Sequence, residues 1–434
     1  MRGNPWLACA NPNLTRHGSA DLVLFSKIQT LARYAPSIHC KKTTHQTMLA
    51  RLIKSLLPDP NRKQRKVDLL YREAKGLWET RQWRQAQARV EQALALNPDL
   101  PALHFLLGNI LADAGQSEAA QHALAHCIAC NPPQFIHLGA RSLHALLDAR
   151  ERLSQDHAPP LLALGKVLGA RASPPMVSVI VCSINPERRA RTEQMYHRLL
   201  ADLPHEIIVI SDGKSMCEGY NRGLRQATGE LVVFSHDDVI IHSPDFAARL
   251  VHQLQRHDVI GLAGTTQLRY GSWFSPDGLL FGQVGGLTGN HQLQALIYDI
   301  TGSATPDIQA IDGYFMAARR EAALQLGFDE ETFAHWHLYD IDFSWRAHKA
   351  GMRCAVANDI LAVHLSPGNF DPRWQEQADL FLQKHQRPKP PAGHRNFVRP
   401  LDPIAINTVE EWRWLNALMI EDVESGRWKL PYYR

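Results

Sequence analysis

Long apolar runs are missing from this 434-residue chain. Stretches such as Val177–Cys182 and Leu231–Phe234 fall far short of the ~20 residues a transmembrane helix needs, so no span is expected. Met1–Ala20 is broken by Asn, Pro, Arg and His, which excludes the basic start and apolar core of a secretory signal. The seven cysteines are odd in number and scattered, so they build no disulfide framework and suit a reducing compartment. No strict Gly or Pro period occurs, which rules out a collagenous or low-complexity chain. A large charge excess is lacking too: the formal net of +4 argues against a dedicated nucleic-acid binder.

With 45% apolar residues the chain can bury the cores of two or three domains. Its charge is divided. Residues 1–66 hold twelve Lys or Arg against Asp21 and Asp59, a net of +10, while the remainder holds 35 basic and 41 acidic groups, a net of −6. The first 47 residues show no sustained period and read as disordered, or as lying ahead of a start at Met48. Met48–Leu57 reads as a short amphipathic helix ended by Pro58 and Pro60. Residues 1–62 are thus a basic leader, expected to make at most peripheral contact with an anionic membrane surface.

Residues 63–155 contain an internal repeat. Asn97-Pro98 and Asn131-Pro132 lie 34 residues apart, and the positions before them match in step: Ala74 with Gly108, Leu77 with Leu111, Ala86 with Ala120, Val90 with Leu124, Ala93 with Cys127, Leu94 with Ile128. Small residues at helix crossings, apolar stripes facing each other and Pro after the second helix define a helix-turn-helix unit. It resembles the tetratricopeptide repeat, with residues 135–153 as a degenerate third helix pair. Such repeats imply either a surface for a protein partner or a stacking spacer. Cys127 and Cys130 read as packed helix rather than a metal or redox pair, because Cys127 falls on the small-residue position and no second pair lies nearby.

After a Pro-containing linker the pattern alternates strand and helix. Strands are expected at Val177–Ser183, Glu206–Ile210 and Leu231–Phe234, and helices at Glu187–Leu200, Met216–Ala227 and from a Ser243-Pro244 cap to about Arg256. This predicts an α/β domain, a mostly parallel sheet with helices on both faces. Ligands bind beyond the C-terminal strand ends of such a sheet. The loop there, Ser183–Arg189, has no glycine, and no GxxxxGK[ST] exists, so no Gly-rich turn cradles a phosphate. The strand ends carry carboxylates instead: Asp212, then His236-Asp237-Asp238. Carboxylates repel phosphates unless a divalent cation lies between them.

Here the chain resembles the family 2 glycosyltransferases of the GT-A fold, over roughly 175–385, which gives the α/β domain that range and leaves 386–434 as a C-terminal extension. The resemblance implies a nucleotide-sugar donor held through Mn²⁺ or Mg²⁺ by an Asp-x-Asp motif. His236-Asp237-Asp238 matches it with His in place of the first Asp, which makes Asp238 a metal ligand and leaves Asp237 at the variable position and His236 for ribose or phosphate. Asp212 and Ser183 then face the nucleoside. Downstream, Ile311–Arg320 (IDGYFMAARR) reads as a strand entering a helix, with Asp312 on the donor side. The family's Glu-Asp pair matches Tyr339-Asp340, which makes Asp340 the catalytic base, here expected at the N-cap of a helix that Gly351 terminates. Asp342 either orients the site or faces solvent. His364, ending the strand Ile360–His364, matches a histidine near the metal. His335, Trp336 and His337 either stack on an acceptor or belong to the core. Gly264–Ala310, glycine-rich and without clear period, reads as an acceptor-side loop that orders over the donor.

The expected function is metal-dependent, inverting transfer of a sugar to a hydroxyl on a glycan or protein acceptor. By resemblance its setting is bacterial surface-glycan or glycoprotein assembly on the cytoplasmic side. The alternative is an inactive transferase-like domain that serves as a repeat-bearing scaffold, supported by the replacements at His236 and Tyr339. A nucleotidyltransferase would need a basic, Gly-rich loop after the first strand, which is missing.

Overall fold

The computed structural model describes residues 61–169, 171, 173–274, 279–366, 370–391 and 403–428. The expected leader helix at Met48–Leu57 lies outside them. The repeats are four helices, α1 (Arg62–Glu79), α2 (Trp83–Leu96), α3 (Pro101–Asp113) and α4 (Ser117–Ala129). The small positions are where helices cross. Ala74, Ala86, Ala93, Ala120 and Cys127 are fully buried, and a Cβ on Gly108 would come within 2.6 Å of Leu124. Burial pushes the Cys127 thiol up to about 12, so it packs as a small apolar group.

The expected third helix pair is instead one 21-residue helix, α5 (Gln134–Ser154). The stretch contains no Asn-Pro break, and its only glycine, Gly139, serves packing: a Cβ there would meet the Phe105 ring at 2.7 Å. A short helix α6 (Leu164–Leu168) then leads into the α/β part.

That part begins with β1 (Val177–Cys182), α7 (Pro186–Leu199), β2 (His205–Ile210), α8 (Met216–Gln226), β3 (Leu231–Ser235), β4 (Val239–Ile241), α9 (Phe246–Arg256), β5 (Val259–Gly261) and β6 (Ala263–Thr265). It continues with β7 (Leu280–Leu287), β8 (Leu293–Ile297), β9 (Ala304–Thr305), β10 (Ala310–Ile311), β11 (Phe315–Arg319), α10 (Arg320–Leu326), α11 (Tyr339–Lys349), β12 (Cys354–Ala357), β13 (Ala362–His364) and α12 (Pro372–Lys384), and closes with β14 (Ile404–Ala405) and α13 (Val409–Glu424). The main sheet has the order β2-β1-β3-β11-β5-β12-β9. β1 is parallel to β2 and β3, β5 is parallel to β12, and β11 runs antiparallel between β3 and β5.

The period-2 alternation of β3 separates two cores. Val232 and Phe234 pack with Tyr220 and Leu224 of α8 and Phe343 of α11, whereas Leu231 and Val233 pack with Tyr196 of α7 and Leu250 of α9. Helices therefore cover both faces, as the alternation predicted. The Ser243 side chain does not cap α9. It accepts from the Leu361 N–H and ties the helix entry to the segment before β13.

Gly264–Ala310 is not the elementless loop expected. It supplies β7, β8 and β9 and much of a second sheet, β10-β6-β7-β13-β4. Its glycines permit close approach: Gly282 has φ +92°, and a Cβ on Gly285 would meet the Trp412 ring at 2.5 Å. Trp412 belongs to α13, so the C-terminal extension is a structural element, packed between the β7–β8 hairpin and α5. Arg150 of α5 pairs with Glu411, Arg152 lies over the Trp414 ring, and a fully buried Arg141–Asp299 ion pair joins α5 to the loop after β8.

Candidate active site

Three expected residues converge at the C-terminal edge of the main sheet. His236 and Asp238 follow β3, and His364 ends β13, which pairs with β4 through His364 opposite Val239. One ligand atom from each lies within 4.8 Å of the other two. His364 Nε2 is 3.3 Å from Asp238 Oδ1 and 3.4 Å from His236 Nδ1, with the Ser366 hydroxyl at 3.2 Å. Burial opposes charge on Asp238, but His364 and Ser366 outweigh it and hold the carboxyl below the ordinary range. Burial, with the charge of His364, lowers His236 to about 4, so its ring is neutral at pH 7. Two imidazoles and a carboxylate at this spacing could hold a divalent cation.

The two departures from the family pattern touch each other. The Tyr339 hydroxyl lies 2.6 Å from His236 Nε2 and 3.0 Å from the Gly313 carbonyl oxygen. A carbonyl only accepts and the hydroxyl has one proton, so with both bonds made His236 Nε2–H donates to Tyr339. That leaves the Nδ1 lone pair, facing His364, free to ligate. The structure thus places the His236 ring beside Asp238 and His364, and the main-chain N–H of His236 donates to the Tyr314 main-chain carbonyl at 3.1 Å.

Asp237 points away from the cluster toward α7. It accepts from the Ser183 hydroxyl at 2.7 Å, and its carbonyl accepts from the Thr192 hydroxyl at 3.0 Å. Arg188, one turn into α7, stands 3.5 Å from Asp237 and 3.9 Å from Asp238. Ser183 is buried, a link in this loop network. Asp212 stands apart from it, exposed and paired with Arg222.

Asp340 is not an N-cap. α11 starts one residue earlier at Tyr339, after Leu338 in the left-handed region (φ 61°), which makes no side-chain cap. The Asp340 carboxylate instead accepts from the Gly313 N–H at 2.8 Å. Burial, with the Asp312 charge next, pushes it up to about 7. Asp312 is itself raised by burial, and accepts from Trp273 Nε1 at 3.0 Å and the Tyr314 N–H at 3.1 Å. A carboxyl that ionises near neutrality is suited to taking a proton. Asp342 neither faces solvent nor joins the site: it binds Arg346, Lys384 and His385 at 2.6–2.8 Å, clamping α11 to α12. Trp336 is 45% exposed, outside the core.

Sequence reasoning missed Arg188, Tyr314, Trp273 and Ser366. Only Arg188 carried a signal, as a cation in a strand-end loop facing acids; the others are read from packing.

Residues 178–385 match the model of a glycosyltransferase-like family, and residues 77–138 match a tetratricopeptide repeat model. No curated protein matches the chain. Among solved structures, GalNAc-T7 with UDP, GalNAc and Mn²⁺ aligns at 13% identity over 46% of this chain and 45% of its own, TM-score 0.30. The chain thus spans less than half the length of that protein. The mannosyltransferase PcManGT from Pyrobaculum calidifontis, in complex with GDP-Man and Mn²⁺, aligns at 15% identity over 72% of this chain and 88% of its own, TM-score 0.32. The segment that matches the glycosyltransferase-like model contains His236, Asp238, Asp340 and His364, and the segment that matches the tetratricopeptide repeat model precedes it.

Proposed function

We propose that this domain transfers a sugar, with inversion, from a nucleotide-diphosphate sugar to a hydroxyl on a glycan or protein acceptor. The observation that carries the reading is the pairing of a cation-ready cluster with a half-buried carboxyl that ionises near neutrality, linked through adjacent residues Tyr339 and Asp340. His236, Asp238 and His364 would hold a divalent ion, Mn²⁺ or Mg²⁺, whose charge offsets that of the leaving diphosphate. Asp340, fixed by the Gly313 N–H, takes the acceptor hydroxyl proton. The acceptor oxygen forms its bond to the anomeric carbon as the bond from that carbon to the diphosphate oxygen breaks. Ser183, Asp212, Asp237 and Asp312 are proposed for the donor side, and the setting is bacterial surface-glycan or glycoprotein assembly at the cytoplasmic side. No described helix is long and apolar enough to cross a membrane.

The His236–Tyr339 hydrogen bond weighs against an inactive scaffold, because the two replacements support one another as a pair. Incubating the full chain with a panel of nucleotide-sugars and Mn²⁺ tests this reading. Metal-dependent release of a nucleoside diphosphate from one donor is expected. No turnover of any donor, with or without acceptor hydroxyl compounds, contradicts it and favours the scaffold.

A further inference from the structure

The C-terminal helix lies outside both matched segments, yet one buried side chain connects it to the metal cluster. Gln283 in β7 is 2% exposed and its amide is fully engaged. Its Nε2 donates to the Asn358 carbonyl at 3.1 Å and to Asn416 Oδ1 at 2.6 Å, while its Oε1 accepts from Trp412 Nε1 at 2.7 Å; Asn416 and Trp412 belong to α13. The Gln283 carbonyl accepts from the Tyr314 hydroxyl at 3.2 Å. The Tyr314 ring in turn stacks on His364, centroids 5.2 Å apart and planes 18° from parallel, while its main-chain carbonyl accepts from the main-chain N–H of His236. Gln283 is therefore a fixed bracket between α13 and the aromatic residue behind the cluster.

We propose that Tyr314, anchored to α13 through Gln283, is a positioning residue that holds His364 in ligating geometry, which makes the C-terminal helix part of the working site. The inference rests on reading His236, Asp238 and His364 as a cation site. Outer partners of ligating histidines fix ring orientation, and losing one weakens metal binding by roughly 10–100-fold. The ring stack and the hydroxyl anchor act on the cluster in series, so their removal is not additive.

The test is Mn²⁺ binding to the full-length protein without donor, read from the free-ion electron paramagnetic resonance signal, beside the metal-free thermal midpoint. Wild type is expected to bind Mn²⁺, Tyr314→Leu to bind it about 10-fold or more weakly, and Tyr314→Phe and Trp412→Phe to weaken it less. The Tyr314→Phe/Trp412→Phe double variant is expected to lose less than the product of the single losses. Wild-type Mn²⁺ affinity in folded Tyr314→Leu overturns the proposal, even if its thermal midpoint falls. If Tyr314→Leu does not fold, unchanged affinity in both Tyr314→Phe and Trp412→Phe overturns it. Absence of Mn²⁺ binding by the wild type overturns the underlying metal reading instead.

Discussion

Asp238, buried after β3, and Asp340, half-buried at the start of α11, both carry shifted carboxyls, yet their environments drive them in opposite directions. Asp238 has His364 at 3.3 Å and Ser366 close by, and these keep it ionised in spite of burial. Asp340 has a backbone N–H for a partner and Asp312 for a neighbour, so burial prevails and its ionisation moves to about 7. Burial alone does not set the role of a carboxylate. The sign of the neighbouring charge decides whether it is a permanent anion able to hold a cation or a proton acceptor that works near neutral pH.

The comparison can be broken in steps of decreasing size. Asp238→Asn removes the permanent anion and is expected to abolish Mn²⁺ binding and metal-dependent turnover together. Retained Mn²⁺ affinity in titrations of that variant contradicts the assignment. A smaller effect is expected in the pH profile. Asp340 must be ionised to take a proton, so turnover rises with pH through about 7 and then levels. Asp312→Asn takes away the like charge but not the burial, which is the larger cause. The rising limb therefore moves to lower pH while staying above the ordinary carboxylate range, and an unmoved limb in the rate–pH curve removes Asp312 from the account. The smallest change is expected from Tyr339→Phe, which leaves both carboxylates in place but frees the His236 ring. Mn²⁺ affinity should fall by about 10-fold, with thermal stability little altered; unchanged affinity means the hydroxyl does not set the ligating nitrogen.

Much of this molecule is legible in the sequence because local pattern carries it. Short apolar runs placed β1, β2 and β3 to within a residue, and the 34-residue step announced the two helix-turn-helix units. Asp238, His364 and Asp340 were singled out by the family resemblance, and the structure sets Asp238 and His364 together with Asp340 one residue into α11. What failed was non-local. Gly282 and Gly285 look like loop residues in sequence, but they are strand glycines that admit the Leu262 backbone and the Trp412 ring. The Asp340 cap was misplaced because Leu338 adopts the left-handed region, which a leucine gives no cause to expect. His236 and Tyr339, 103 residues apart, look like two separate losses until the hydrogen bond between them is seen.

The most direct measurement is turnover and donor binding by Asp340→Asn beside wild type, with Mn²⁺ and a donor the wild type uses. The account predicts transfer lower by roughly 10²–10⁴-fold, with nucleotide affinity and its dependence on Mn²⁺ unchanged. Transfer at the wild-type rate, or a loss confined to donor binding, would contradict the assignment of Asp340 as the base.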